Sequence, residues 1–441
     1  MANYYVATIG DNGNDGSILN PWATFTYAAS VIAAYDTVYV RGGTYHEECV
    51  FRVDNVTLMA YPDETPIVDG EKALPLKYAP LISFRGDYST IDGIHLVNST
   101  CYGVEMLGAH SVARNCYGEH LNKGLIRLGG AYSLAEDNEA WWTNDGYEYG
   151  SGSGSWGSAI NTSYTHDVTF RRNKIHQCWG EGLAAHHTSN ILMEDNEVYD
   201  NYAVNIYLNL VETATVCRNL VYGVPGSVVW NTGFHCPGIG LADEDTEGQN
   251  TGLTIVNNII HNTSNGALYF WEDADGSGIK DSLIAFNSID MRDQPFDAIH
   301  INDGEHGGSR ITSNIAVGGF SVPDGIAVDH NMISGDPLWG QGSGATAFRL
   351  TSESPAIDDA AVDTGITEDF WGTSRGTHPD IGAVESEESE EPMGAVDDMQ
   401  VAIDALAVAL AEAIVALAEV QEQMAALQAV DDAADALAAQ V

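Results

Sequence analysis

An asparagine recurs along this chain at nearly constant intervals, in ARNCY, AEDNEA, FRRNKI, MEDNEV, VCRNLV, VNNII, AFNSI and TSNIA. Asn115 to Asn138, Asn173 to Asn196 and Asn196 to Asn219 are each 23 residues apart, and the 35 from Asn138 to Asn173 read as one period plus a twelve-residue insertion around GYEYGSGSGSWG. Later gaps are 39 to Asn258, 29 to Asn287 and 27 to Asn314. Around each Asn, apolar and polar residues alternate, as in VTFRRNKI and ILMEDNEVYD, which is the period of a half-buried strand and not of a helix. A repeat this short cannot bury its apolar face alone, so successive units must stack. The spacing predicts a solenoid of parallel coils. Asparagines at equivalent corners then form a ladder, since Asn tolerates the left-handed backbone such corners need and its amide satisfies turn groups.

The opening segment YYVATIGDNGNDGSILNPWATFTYAASVIAAYDTVYVRGGTYHE and the segment SPAIDDAAVDTGITEDFWGTSRGTHPDIGAVE resemble the first and last parts of the right-handed parallel β-helix, or pectate-lyase-like, superfamily. The resemblance spans residues 3 to about 385 and implies an all-β solenoid, with a cap over about 3–50 and a closing segment over about 350–385. It does not imply one activity, because the fold carries lyases, hydrolases, epimerases, viral tailspikes and inert structural proteins.

If Asn173, Asn196 and Asn219 are equivalent, the strands about nine residues later stack: AINTS, GLAAH, NIYLN, VWNT, ALYFW and AIHIN. Ile160, Leu183, Ile206 and Val229 are then a buried column, continued by Leu268 and Ile299. Their neighbours point outward in two rows. One is Asn161, Ala184, Tyr207, Trp230, Tyr269 and His300, and the other is Ser163, His186, Asn209, Thr232, Trp271 and Asn302, with Glu105 and Arg127 as additions from earlier coils. Rings cover the apolar face of a pyranose and amides bond its hydroxyls, so Tyr207, Trp230, Tyr269, Trp271, His186, Asn209, His300 and Asn302 are candidate glycan-binding residues. The competing expectation is that these aromatics pack under a long loop such as 141–157, which holds Trp141, Trp142, Tyr147, Tyr149 and Trp156.

Polysaccharide lyases of the resembled superfamily use Lys or Arg as the base, with Ca²⁺ held by acidic residues. This chain has only five lysines, Lys72, Lys77, Lys123, Lys174 and Lys280, and none falls on the two rows. The acidic runs DEDTE (243–247) and EDADGSG (272–278) make Ca²⁺ the one cofactor to consider, but neither has the spacing of an EF-hand loop, and no cofactor and no catalytic residue is assigned. A glycosidase would need two facing carboxylates, for instance Glu105 with Glu181 or Asp273.

Against 17 Lys+Arg stand 63 Asp+Glu, a formal net charge of −46. Phosphate would be repelled, so nucleic acid is not expected as a partner. Acidic side chains with few lysines keep a surface hydrated where molar salt screens charge over about 3 Å, and the composition resembles that of salt-in halophilic archaea or their viruses. No stretch has the ~20 apolar residues of a membrane span, and MANYYVATIG lacks the pattern of a secretory leader. The cysteines Cys49, Cys101, Cys116, Cys178, Cys217 and Cys236 show no metal spacing and read as small buried residues, with a Cys101 to Cys116 disulfide as the alternative.

An acidic linker, 386–394, precedes a change of composition. Residues 395–441 are almost entirely Ala, Leu, Val, Asp, Glu and Gln. Val396, Met399, Ile403, Leu406, Leu410, Ala413, Leu417, Val420, Met424 and Leu427 alternate spacings of three and four, a heptad pattern that predicts a left-handed coiled coil. The apolar stripe is wider than a dimer seam, so a homo-oligomer of three or more chains is expected, a trimer first and a pentamer next. A single helix docked on its own solenoid or on a partner is the alternative, and the acidic polar face argues against a membrane surface.

A β-helix with such a helix looks like a viral spike, turret or tail fibre. The expectation is a structural protein of a halophilic virion, assembled with other virion proteins, made in the host cytoplasm and binding a host surface glycan or glycoprotein, with an extracellular protein as the other location. A polysaccharide lyase or hydrolase of the same fold, or an inert capsid or tail decoration, are the competing functions.

Overall fold

A computed structural model of the chain describes residues 2–75, 79–145, 157–232, 237–244, 248–272 and 277–386. The expected coiled-coil residues from Val396 to Leu427, the acidic linker apart from Ser386, and Tyr147, Tyr149, Trp156, Cys236 and Asp273 lie outside these.

The chain enters through strand Asn3–Val6 and helix Phe25–Val31. Thr24 caps the helix, its Oγ1 accepting from Tyr27 N at 3.1 Å, and the carboxylate of Glu47 accepts from Phe25 N and Thr26 N at 2.8 and 2.9 Å. These bonds satisfy donors that a helix start leaves open. Phe25 and Ala28 close the end of the core.

Each coil then turns through three short parallel strands, for example Val104–Met106, Val112–Arg114 and Tyr117–Glu119. Val104 lies between Ile82 and Ile126, Val112 between Thr90 and Leu134, and Tyr117 between His95 and Glu139. Three faces result, the first two joined in one sheet and the third forming another. Ile82, Val104, Ile126, Ile160, Leu183, Ile206, Ile239, Leu268 and Ile299 form one fully buried column, each worth about 1.5–3 kcal/mol of burial. At Glu181–Glu194 and Ile206–Cys217 a single strand runs through both of the first two faces.

Ile160, Leu183 and Ile206 pair as the 23-residue period requires, and Leu268 and Ile299 continue their column. Val229 does not belong to it. The partner of Ile206 is Ile239, ten residues later. Pro225, Gly226, Pro237 and Gly238 bracket an inserted loop in which Trp230–Thr232 is a 3₁₀ turn, and such residues do not continue a central strand.

The asparagine ladder is present at the corner between second and third faces. Nδ2 of Asn138, Asn173, Asn196, Asn219, Asn258, Asn287 and Asn314 each donates to Oδ1 of the next rung at 2.9–3.0 Å, ending on Asn331. The main-chain N–H of each rung donates to the same oxygen. The left-handed residue is the one before the rung: Asp137, Arg172, Asp195, Arg218, Asn257, Phe286, Ser313 and His330 all have φ between 47° and 59°. Asn115 is therefore no rung. It takes the left-handed position itself, φ 53°, and Cys116 N donates to Asn138 Oδ1.

Cys49, Cys101, Cys116, Cys178 and Cys217 are buried free thiols, so the alternative Cys101 to Cys116 disulfide is not formed. Burial pushes the Cys116 thiol up to about 12 and that of Cys178 up to about 11, which leaves both unreactive.

After the last coils the chain folds back over the outside of the solenoid. Ala356, Ala360 and Ile381 pack on Cys217, Val256, Ala285 and Phe286, while Phe348, Ala383 and Val384 pack on Ile259. Beneath this cover His261 stacks on Tyr222, centroids 5.1 Å apart, and meets Phe348 at 5.4 Å. Burial holds the His261 pKa down to about 4, against a smaller opposing pull from Asp290. Its folded pKa thus lies below the ordinary value near 6.5, so the stability due to neutral His261 is complete above that value and is lost as pH falls toward 4. His261→Phe should flatten the fall in unfolding free energy between pH 6.5 and 4 by about 1–3 kcal/mol. Equal slopes for the two proteins in denaturant titrations would refute this.

Candidate functional site

The outward positions of the long central strands carry the candidate residues. Pairing sets one row as Glu105, Arg127, Asn161, Ala184, Tyr207, Gly240, Tyr269 and His300, and a second as Ser163, His186, Asn209, Ala242 and Trp271. Glu105 and Arg127, the additions from earlier coils, stand in the first row, ion-paired at 2.6 Å. Trp230 and Thr232 do not stand in the rows. Gly240 and Ala242 take their places, and Trp230 packs beside the buried cluster of Trp179, Tyr202 and Val229.

Gly240 makes the site. A Cβ there would come within 3.0 Å of both Trp271 Cζ3 and the Tyr269 hydroxyl, so its absence leaves the space into which those rings lean. Trp271 stacks on Tyr207 with centroids 5.4 Å apart and planes 3° apart, and on Tyr269 at 5.0 Å and 20°. These three rings line a cavity of about 250 Å³ with Glu181, Glu244 and Asn265, walled by Ala203, Val204 and Pro237 from the loops between coils. The size suits a single sugar ring, being below the ~300 Å³ at which drug-sized sites begin.

Glu181 opens the strand Glu181–Glu194, and its Oε2 accepts from Ser158 Oγ at 2.5 Å and lies 3.4 Å from His186 Nε2. Glu244 follows strand Ile239–Asp243, and its main-chain N donates to Asn209 Oδ1 at 3.1 Å. Burial raises the phenol pKa of Tyr207, and the charges of Glu244 and Glu181 raise it further. Tyr269 is raised by burial and then by the same two carboxylates. Both rings therefore sense both acids.

Of the candidates, the structure brings together Tyr207, Tyr269, Trp271, His186 and Asn209. Tyr207 and Asn209 are only 2% and 6% exposed, because loops fold over the rows. Asn209 spends its side-chain oxygen on positioning Glu244 and is not an open amide. His300 and Asn302 lie one coil on and bond each other at 2.9 Å, with Asp297 on the other ring nitrogen at 2.8 Å; neither lines the cavity. Glu244 escaped sequence reading because it sits in an acid-rich run, and Gly240 because the strand that holds it was displaced by the insertion. Trp141 and Trp142 lie on and beside the third face, not over the site.

Asp243 is buried and accepts from Asn250 Nδ2 and Gly278 N at 2.9 and 2.8 Å. Among the described residues, no group of three or more His, Cys, Asp or Glu is arranged to hold a metal ion. Lys174 belongs to the third face and Lys123 to the turn before strand Ile126–Leu128, Lys280 pairs with Glu305 at 2.6 Å, and no Lys or Arg is among the described residues lining the cavity.

A family model for Pel9A-like right-handed β-helix regions matches residues 4–154, and one for right-handed β-helix regions matches 80–240 and 151–289. No curated protein matches the sequence. The structure of pectate lyase Pel9A is similar over 88% of this chain and 97% of that one, with a TM-score of 0.60 and 14% identity. XylC, solved with xylose, covers 87% and 98% at a TM-score of 0.51 and 11% identity. The A-module of the Azotobacter vinelandii mannuronan C-5 epimerase AlgE6 covers 76% and 89%, at 0.51 and 14%. Such identities carry the fold and not the activity. With its three-faced coils, its asparagine ladder and both family models in agreement, the chain belongs to the right-handed parallel β-helix superfamily.

Proposed function

We propose that this protein is the glycan-binding element of a halophilic virus spike or fibre. The observation that carries the binding part is the cavity on the solenoid face, where Tyr207, Tyr269 and Trp271 form an aromatic wall beside Glu181 and Glu244. Rings of this kind stack on the C–H face of a sugar, and carboxylates accept from its hydroxyls. The virion part is supported by the lysine-poor acidic composition and by the heptads of 395–441. Linking three or more copies raises the apparent affinity of a weak sugar site by ~10²–10⁴.

Titration of the full chain with oligosaccharides, followed by calorimetry, tests the binding part. Trp271→Ala should weaken binding at least tenfold, whereas Trp371→Ala on the closing segment should leave it unchanged; equal effects would sink the assignment. Light scattering in molar KCl tests assembly: a trimer or pentamer for the full chain, and a monomer for a version ending at Glu385. Two monomers would remove the self-assembling spike.

Hydrolysis of the bound glycan is a second reading, favoured by the two carboxylates, Glu181 and Glu244, that line the same cavity. Turnover of aryl glycosides by the wild type, abolished in Glu181→Gln, would establish it. Lyase chemistry has less support, because no Lys or Arg is among the described lining residues.

A further inference from the structure

We infer that the sugar held in this cavity carries no negative charge, so the ligand is a neutral glycan and not a polyuronate or a sulfated or sialylated one. The inference rests on the reading of the cavity as a carbohydrate site and adds the chemical class of its ligand. Two carboxylates, Glu181 and Glu244, stand in a wall whose other members are aromatic, aliphatic or, at Asn265, a neutral amide. Burial raises the phenol pKa values of Tyr207 and Tyr269, and the charges of both carboxylates act in the same direction. The cationic side chain of the first row, Arg127, is two coils upstream of Ala184 and is matched by Glu105 at 2.6 Å. His186 is turned toward Glu181 and stands edge-on to Tyr207, centroids 5.2 Å apart.

An anionic sugar would therefore bring its charge beside two carboxylates, with no arginine among the described lining residues to receive it. A neutral sugar meets the same groups as acceptors for its hydroxyls. Ser158, donating to Glu181 Oε2, fixes that acceptor in place. Discrimination here is by repulsion of the wrong ligand as much as by attraction of the right one.

The test is calorimetric titration of the full chain with neutral oligomers (manno-, galacto- and gluco-oligosaccharides) and with oligogalacturonate and oligomannuronate of equal length, at 0.15 M and 1 M salt. We expect at least one neutral series to bind and both uronates to bind at least tenfold more weakly. The gap should narrow to below about threefold at 1 M salt, where charges are screened over about 3 Å, and likewise in Glu181→Gln/Glu244→Gln. Uronates binding as tightly as neutral oligomers would overturn the inference while leaving the carbohydrate site intact. A gap that salt leaves untouched would overturn its electrostatic basis, and this readout needs no variant to fold. Absence of binding by every series would instead remove the carbohydrate site itself.

Discussion

Arg375→Ala should lower the stability of the closing segment by about 3–5 kcal/mol, the cost of leaving a buried ion without its partner. Arg375 and Glu385 are each 1% exposed in their side chains and form a buried ion pair. The guanidinium lies 3.9 Å over the Phe286 ring. It donates to Asn257 Oδ1 at 2.9 Å, Gly382 O at 2.8 Å and Asp380 O at 3.1 Å, so its loss orphans a solenoid amide and two carbonyls as well as the carboxylate. Because solenoids open in parts, the fitting measurement is native-state hydrogen exchange, read separately for 350–386 and for the early coils. Protection should fall in the closing segment and persist around Val104 and Ile126. Glu385→Gln combined with Arg375→Met should recover part of the loss, since removing both charges removes the uncompensated one. A change below 1 kcal/mol in Arg375→Ala would mean that apolar packing alone holds the segment.

Asn219→Ala should cost about 3–5 kcal/mol, and its effect should be central. Asn219 Oδ1 accepts from Asn196 N and Asn196 Nδ2 at 3.0 and 2.9 Å, and its Nδ2 donates to Met193 O and Asn258 Oδ1, both at 2.9 Å. Alanine leaves these buried groups without the amide, at about 1–3 kcal/mol for each one that finds no new partner. Asn219→Asp keeps the acceptor but replaces the donor with an oxygen facing Met193 O and Asn258 Oδ1, and should recover little. Asn115→Ala is the control: Asn115 is no rung, and its amide bonds Asp92 at an exposed site, so the change should cost only the about 1 kcal/mol of holding alanine in the left-handed backbone at φ 53°. Equal losses at 115 and 219 in urea melts would contradict the ladder.

The ladder was legible because each coil needs the same side chain at the same corner, and identical residues at equal spacing are visible without any structure. What the spacing could not show is which residue bends the chain: Asn115 matched the period but occupies the bend, one place before the rung. The site was legible in part for the same reason. Alternation in NIYLN and ALYFW correctly set Tyr207, Asn209, Tyr269 and Trp271 on the outer side. It could not tell that loops cover that side, which is why Asn209 turned out to be a support for Glu244. Trp230 was misplaced by carrying a 23-residue step across an insertion. The residue in its stead, Gly240, contributes by lacking a side chain, and a missing side chain leaves no mark in a pattern of apolar and polar residues.

The ladder also has a direction. Each rung from Asn138 to Asn314 gives its main-chain N–H and one amide hydrogen to the asparagine of the coil that follows, so a rung is complete only after the next turn of chain has been laid on it. A solenoid wound from its first coil onward would always present raw N–H groups at its growing end and finished ones behind. Asn331, the last rung, keeps the bonds to Ile311 O and Asp329 O that match those of Asn314 to Ile284 O and Thr312 O. A chain cut between Asn138 and Asn331 would therefore expose a rung poised to receive another coil, from itself or from a neighbour.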